Sequence, residues 1–207
     1  MIDSKKKLKF YIKADAIMNE QVFPQTRLKR LLFPSIIEKF LRTMRKLEYY
    51  KNTKTRCVLA YIPFLYYKRK YEALKVRTGF DIPPNTFGYG LRIGHLSTIV
   101  INNATKIGNY CSVANNLVIA DGHRKVIGNC VQFGSNVVIC KKLSIADGCK
   151  LSSCSLLNRS IKDKNMLWGG VVSAPLRQCK PWTEEEPYHT EKERCEALKQ
   201  KMKIIDE

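Results

Sequence analysis

Three histidines and one carboxylate are the residues of this 207-residue chain best suited to acid–base chemistry. The histidines are His95, His123 and His189, and Asp81 precedes His95 by fourteen positions. Imidazole titrates near neutral pH, so a positioned histidine can take a proton from a hydroxyl that is otherwise a poor nucleophile. A carboxylate on the other ring nitrogen fixes the tautomer and stabilises the imidazolium. His95 with Asp81 is therefore the first candidate for a general base and its orienting group, whereas His189 lies in an acidic tail and is expected at the surface.

A six-residue repeat runs through the middle of the chain, and it predicts how these residues are positioned. An aliphatic or aromatic residue returns at every sixth position, usually followed by Gly, Ala, Ser or Cys. The repeating residues are Ile101, Ile107, Val113 and Ile119, then Ile127, Phe133, Ile139, Ile145, Leu151 and Leu157. One unit makes a short strand and a turn, and three units make a triangular coil that buries its edges only against the next coil. The pattern predicts a mainly β fold, a parallel β-helix over 79–172 lined by these side chains and capped at its ends.

The repeat is interrupted twice, and each interruption contains a histidine. Eight residues replace six between Ile119 and Ile127, so a loop over 120–126 must leave the coil. A similar step surrounds His95. Interruptions of a strict repeat are where we expect function. The loop residues considered for function are His123 and, as contacts to an anionic acceptor, Arg124 and Lys125.

The residues before the repeat are basic and have helical spacing. Apolar residues recur at three- and four-residue steps from Leu28 to Leu47, Pro24 and Pro34 separate helices, and a further helix is expected over 66–76. Residues 1–78 hold 20 Lys and Arg against 6 Asp and Glu, within a formal net charge of +19. This charge suits a phosphorylated substrate or an anionic membrane surface, or is only a solvated basic face. Nucleic acid is not expected, because zinc-finger spacing, an RNP-like motif and a Gly-rich phosphate loop are missing.

The cysteine pattern and the chain's start predict a cytoplasmic protein without a metal. No pair of cysteines has the CxxC spacing of a metal site, and we expect reduced cysteines that act as small apolar residues. They are Cys57, Cys111, Cys130, Cys140, Cys149, Cys154, Cys179 and Cys195. Charged residues break up the first apolar stretch, so we expect no signal peptide. The longest apolar run, 57–67, is too short to span a bilayer. A last helix is expected over 191–204, with a packing role.

The stretch GFDIPPNTFGYGLRIGHLSTIVIN, residues 79–102, followed by six-residue repeats, resembles the serine acetyltransferase-like branch of the hexapeptide acyltransferases. It is most similar to the short members that acetylate sugars of bacterial surface polysaccharides. The resemblance implies a left-handed β-helix, acetyl-CoA as the acyl donor, and homotrimers with sites between neighbouring β-helices. It implies catalytic roles for His95 and Asp81. Serine acetyltransferases carry a second active-site histidine in the loop of His123, but their position falls on Arg124 here.

The same resemblance implies where coenzyme A would lie. Its contacts in the family are mostly with backbone at small residues, which correspond here to Gly134, Ser135, Ser152 and Ser153. A cation near the exit of the β-helix would meet the nucleotide phosphates, and Arg177 or Lys180 can supply it. The sequence departs from the family at residues 172–175, Val-Ser-Ala-Pro, where a Val-Pro-Ala-basic run is usual.

Three functions follow as expectations. The first is O-acetylation of a sugar hydroxyl in capsule or O-antigen assembly, with the basic, Tyr- and Phe-rich region 1–78 making peripheral contact with the inner face of a membrane. The alternative is serine O-acetyltransferase of cysteine biosynthesis, which is less favoured because those enzymes carry a larger helical domain and a differently placed loop histidine. The third is a non-catalytic β-helix scaffold, which the unusual Asn115-Asn116 pair and the altered exit support. Three parts are expected: a helical region over 1–78, an acyltransferase domain over 79–172, and a tail with a helix over 173–207.

Overall fold

The six-residue repeat folds into a parallel β-helix of about five coils, which confirms the predicted fold. A computed structural model of the chain describes residues 1–23, 26–54, 59 and 61–205. Three faces run along the β-helix, called A, B and C in the order in which the chain meets them. Face A holds strands β1 (Phe80–Asp81), β3 (Ile99–Ile101), β6 (Leu117–Ile119), β9 (Val138–Ile139) and β12 (Leu156–Leu157). Face B holds β4 (Thr105–Ile107), β7 (Lys125–Ile127) and β10 (Leu143–Ile145). Face C holds β2 (Arg92–Ile93), β5 (Ser112–Val113), β8 (Gln132–Phe133), β11 (Lys150–Leu151), β13 (Met166–Gly169) and the antiparallel β14 (Ala174–Gln178).

The repeating side chains form one continuous core, as the sequence predicts. All ten of them are at most 5% exposed and belong to a single apolar cluster. Register pairing explains this, because Val113 lies opposite Phe133 and Phe133 opposite Leu151 on successive coils of face C. Ile99 pairs with Leu117 on the next coil, 18 positions on, whereas Arg92 pairs with Ser112, 20 positions on. The longer coils contain the two interruptions, so the extra residues leave at an edge and the core stays in register.

In the described part of residues 1–78, four α-helices precede the β-helix, and two of them cap its first coil. They are α1 (Lys5–Met18), α2 (Arg27–Leu32), α3 (Ile36–Thr53) and α4 (Tyr61–Thr78). The side chain of Ser35 accepts a hydrogen bond from the Glu38 N–H at 3.3 Å, so α3 begins directly after Pro34, which is expected to separate helices. Helices α3 and α4 pack side by side, and Phe40 contacts Phe80 of the first coil with ring centroids 5.1 Å apart. Pro24 and Cys57 lie outside the described residues.

The apolar residues of α2 do not enter this core. The helix forms where the spacing predicts it, but Leu28, Leu31 and Leu32 are 60–78% exposed. By contrast, the apolar side of α3 is buried against the first coil, with Phe40 and Met44 fully enclosed. Helical spacing therefore predicts the element, and a partner surface decides whether its apolar side is covered.

The chain after β14 returns along the β-helix towards α1. Trp182 begins a short 3₁₀ helix, and its indole N–H donates to the Tyr110 carbonyl at 3.0 Å. The final helix, α5 (Tyr188–Lys201), starts and ends three residues earlier than the predicted 191–204. It packs against α1, where the Cys195 thiol lies against the Ala14 carbonyl. The last helix thus reinforces the N-terminal end of the β-helix.

A buried arginine joins the helices to the first coil. The Arg45 guanidinium is fully enclosed and binds Asp15 of α1 at 2.8 Å and Glu48 of α3 at 3.0 Å. Its remaining N–H groups donate to the carbonyls of Phe87, at 3.0 Å, and Gly88. Burial would lower the pKa of Arg45, but the two carboxylates more than offset it and raise this pKa. One cation therefore satisfies acceptors on α1, α3 and the β-helix together.

We expect Arg45→Ala to lower the free energy of unfolding by about 3–5 kcal/mol, because two buried carboxylates lose their partner. Urea unfolding followed by circular dichroism measures this. The matched control is Arg42→Ala on the same helix, whose half-exposed ion pair with Glu38 should contribute less than about 1 kcal/mol. Equal losses in the two variants would contradict the structural role assigned to Arg45.

Candidate functional site

His95 lies on the edge of the β-helix where face C turns into face A, called the C–A edge. Four residues define this edge, because each comes two positions after an inward-facing residue of paired face C strands. They are His95, Asn115, Ser135 and Ser153. Stacked strands lie about 4.8 Å apart, so His95 lies roughly 10 Å from Ser135 and roughly 14 Å from Ser153 along the axis. The candidate base and the small residues predicted to contact coenzyme A therefore share one edge.

Hydrogen bonds between coils hold the predicted coenzyme A residues together. The Ser135 N–H donates to the Ser153 hydroxyl at 3.2 Å, and the Ser135 carbonyl accepts from the Cys154 N–H at 2.7 Å. Packing alone requires glycine at position 134, because a Cβ there would lie 2.7 Å from the Ser153 nitrogen. The small residues after each repeat thus let the coils approach closely, and Asn115, Ser135 and Ser153 give the edge polar side chains without a formal charge.

A ladder of asparagines explains the unusual Asn115-Asn116 pair. Asn116 and Asn136 have φ of 49° and 58°, a left-handed conformation that asparagine tolerates better than most residues. The Asn116 side chain donates to that of Asn136 at 2.9 Å, and its backbone N–H donates to the Ser97 hydroxyl at 3.0 Å. These contacts fix the backbone of the edge beside His95.

Asn115 is a site candidate that the sequence reasoning did not single out. Its side-chain oxygen is buried and, within the described part of the chain, has no hydrogen-bond partner. A buried acceptor without a partner is costly, so it is a natural contact for a ligand. The signal that identifies it is its offset of two from Val113, the same offset that Ser135 and Ser153 have from their inward residues.

The imidazole of His95 is exposed, and Asp81 does not bind it in this structure. In the described ranges neither ring nitrogen of His95 has a hydrogen-bond partner. The Asp81 carboxylate is 55% exposed and accepts instead from Lys75 of α4 at 2.6 Å, a bond that raises the pKa of Lys75. Asp81 pairs with Val100, on the strand that follows the His95 loop. The two candidates lie on neighbouring parts of the first coils, but they are not joined.

His123 lies on a different edge, where face A turns into face B. Its loop is held by Lys125, whose ammonium group donates to the Asp121 carboxylate at 2.7 Å and to the His123 carbonyl at 3.1 Å. The bond from Lys125 and one from the Lys141 N–H lower the pKa of Asp121 to about 2. One strand of face A separates this A–B edge from the C–A edge, so a single chain does not bring His123 and His95 together.

Lys125 does not fit its expected role. Its side chain is fully buried at an inward position of face B, and its ammonium group is held by oxygens of the loop. A buried charge that is already paired is not available to an acceptor. Lys125 supports the loop from below, whereas the neighbouring Arg124 is exposed.

Arg177 and Lys180 line a concavity at the third edge, where face B turns into face C. Arg177 pairs with Leu167 across the β13–β14 hairpin, and Cys179 donates from its backbone to Asn165 at 2.7 Å. The residues that line this concavity are Asn165, Arg177, Gln178, Cys179, Lys180, Pro181 and Glu184. The width of face C therefore separates the two cations from Ser135 and Ser153.

The described residues also show the state of the cysteines, and they bear on metal-binding groups and membrane-spanning helices. The seven cysteines there are free, and Cys111, Cys149 and Cys195 are buried whereas Cys154 is exposed. No group of three or more His, Cys, Asp or Glu in these ranges is arranged to hold a metal ion. None of the described helices combines the length and the apolar character needed to cross a bilayer.

Several solved serine acetyltransferases share this architecture. Neither a protein-family model nor a curated protein sequence matches the chain. The Neisseria gonorrhoeae serine acetyltransferase superposes with a TM-score of 0.66 at 19% identity, over 87% of this chain and 70% of that one. The chain has the fold of these proteins. A serine acetyltransferase in complex with CoA gives 0.64 at 17% identity, over 83% and 71% of the two chains. The soybean enzyme with serine gives 0.62 at 16%, over 82% and 69%.

We expect Lys125→Met to release the His123 loop while the inward position stays filled. Methionine retains most of the buried volume but makes none of the bonds to residues 121–123. Hydrogen exchange of the Lys141 amide, which donates to Asp121, should quicken tenfold or more. The control is Lys106→Met, an exposed lysine one coil earlier on face B. Unchanged Lys141 exchange in Lys125→Met would show that Lys125 does not hold the loop.

Proposed function

We propose that this chain is an acetyl-CoA-dependent O-acetyltransferase that works along the C–A edge. The observation that carries the proposal is the shared edge: His95, Asn115, Ser135 and Ser153 follow one another on successive coils. The fold shared with serine acetyltransferases supports it. The edge fits a thioester with an extended arm, because its residues are small or polar and because the buried Asn115 oxygen has no hydrogen-bond partner among the described residues. Acetyl-CoA would supply an activated acyl carbon there.

His95 acts as the general base in this proposal. Its exposed imidazole has both ring nitrogens available, so one of them can accept the proton of an acceptor hydroxyl. Asp81 remains the proposed orienting carboxylate, and it would exchange its bond with Lys75 for one with the imidazole. Gly134, Ser135, Ser152 and Ser153 would border the arm of coenzyme A. Arg177 or Lys180 would meet its phosphates across the width of face C.

We propose that the active unit is a homotrimer in which copies meet near face A. The outward side of this face carries an apolar row in register on successive coils, formed by Val100, Val118, Val138 and Leu156. His95 and His123 border opposite margins of the same face, so they can meet only if one copy supplies each. Arg124, exposed beside His123, would then face the acceptor at the seam between copies.

The acceptor is a small hydroxyl compound, for which two classes have support. Serine is favoured by the fold, which is that of serine acetyltransferases, one of them solved with serine. A sugar is favoured by Arg124, which stands at the position that the family resemblance gives to the second histidine. We expect the purified chain to release the free thiol of coenzyme A from acetyl-CoA only when an acceptor is present, and a panel of amino acids and sugars tests which class of acceptor is used. If no amino acid and no sugar is acetylated, and calorimetry detects no binding of coenzyme A, the chain is a scaffold instead.

We expect His95→Ala to lower kcat by about 100-fold or more with whichever acceptor is active, because the general base is lost. The matched control is His189→Ala, a histidine on α5 flanked by Glu186 and Glu193. This control should retain kcat within about twofold. Near-normal turnover in His95→Ala would remove His95 from the mechanism, provided that both variants unfold at the same temperature as the parent.

A further inference from the structure

The start of α4 exposes a group of large apolar side chains. Tyr61, Ile62, Leu65 and Tyr66, here called the α4 tip, are 48–71% exposed. Their spacing puts Ile62, Leu65 and Tyr66 on one side of the helix. Isolated exposed apolar residues are common, but a contiguous group marks a surface that binds something.

The segment that contains the α4 tip is basic, and the next carboxylate along α4 is that of Glu72, which pairs with Lys75. Residues 49–71 contain six Lys and Arg, no Asp or Glu, and six tyrosines. Lys68, Arg69 and Lys70 are exposed on the next turns of α4. The end of α3 lies alongside, because the rings of Tyr50 and Tyr67 stack at 5.4 Å, and this places the exposed Lys51 near the tip as well.

We infer that the α4 tip docks on a membrane that carries anionic phospholipid. Tyrosine suits the headgroup level, where one end of the ring is apolar and the other wet, while Ile62 and Leu65 reach the acyl boundary. The surrounding lysines and arginines attract the lipid phosphates. A second copy of this chain is a poorer occupant, because it would bring the same six positive charges and no carboxylate from this segment to the contact.

Membrane docking itself does not depend on the proposed function. Only its purpose does, which is to bring the proposed acetyltransferase to an acceptor at the membrane. Helix α4 runs from the tip to Lys75, which binds Asp81 beside the proposed reaction edge. Thirteen residues at 1.5 Å each separate Ile62 from Lys75, so Asp81 lies about 20 Å along α4 from the tip. If the acetyl acceptor is attached to a lipid phosphate, the tip would hold the enzyme within reach of it.

The test is co-sedimentation of the full chain with vesicles, which requires neither acetyl-CoA nor an acceptor. We expect binding at 50 mM salt to vesicles of phosphatidylcholine with phosphatidylglycerol, little binding to phosphatidylcholine alone, and weaker binding at 300 mM salt. The triple variant Ile62→Ser, Leu65→Ser, Tyr66→Ser should bind at least tenfold more weakly. The triple variant Lys68→Gln, Arg69→Gln, Lys70→Gln should bind about 100-fold more weakly at 50 mM salt.

Two matched controls separate the tip from general surface effects. Val76→Ser removes an apolar side chain that is 88% exposed on the same helix, and Lys162→Gln with Lys164→Gln removes two exposed charges from the last coil. Both should bind as the parent does. The inference fails if the parent ignores anionic vesicles at 50 mM salt, or if the tip variants bind like the controls while their circular dichroism is unchanged. It also fails if the tip variants lower the mass in solution, because the tip would then be a contact between copies. If the parent binds anionic vesicles but transfers no acetyl group to any acceptor, the proposed function is refuted and the membrane docking stands.

Discussion

The position of the candidate site depends on the bonds that the buried Arg45 guanidinium makes with its neighbours. The guanidinium lies where α1, α3 and the first coil meet, and each of them supplies oxygens that accept its hydrogen bonds. Asp15 also accepts from the Leu91 N–H at 3.0 Å, so the same carboxylate binds the arginine and the strand. Burying these charges is costly, and the cost is offset only when all three elements are in place. The cluster therefore favours one docking of the helices over others.

This docking extends directly to the candidate base. Asn19, at the end of α1, donates to the Leu91 carbonyl at 2.8 Å and accepts from the Ile93 N–H at 3.1 Å. Ile93 is the inward residue two positions before His95, and its strand has no earlier strand of face C beside it. The first strand of face C thus receives from the end of α1 the hydrogen bonds that later strands receive from the backbone of the preceding coil. Lys75 makes a second link, from α4 to Asp81.

The fold could be predicted from the sequence because its period is local. A side chain that must point inward every six residues is visible in any stretch of the repeat, and the burial of Ile107, Phe133 and Ile145 follows from that requirement alone. The small residue after each of them is visible for the same reason. The Asn116–Asn136 ladder was not predicted, because each partner lies a full coil away and the left-handed backbone gives no periodic apolar signal. Lys125 was misjudged for a related reason: a lysine in an interrupted stretch reads as a loop residue, although the strand that follows the loop has already turned it inward.

The interruptions show why part of the site could be predicted and part could not. Two extra residues in an otherwise fixed coil must leave at an edge, so the sequence predicts that His95 and His123 lie outside the core. Which edge each one occupies depends on where in the three-strand cycle the insertion falls, and only the register of the strands gives that. His95 follows a strand of face C and His123 a strand of face A, so the width of face A separates them. A β-helix offers no fold-back by which one chain can close that gap, and in the proposed homotrimer a second copy would close it over the apolar row between the two edges.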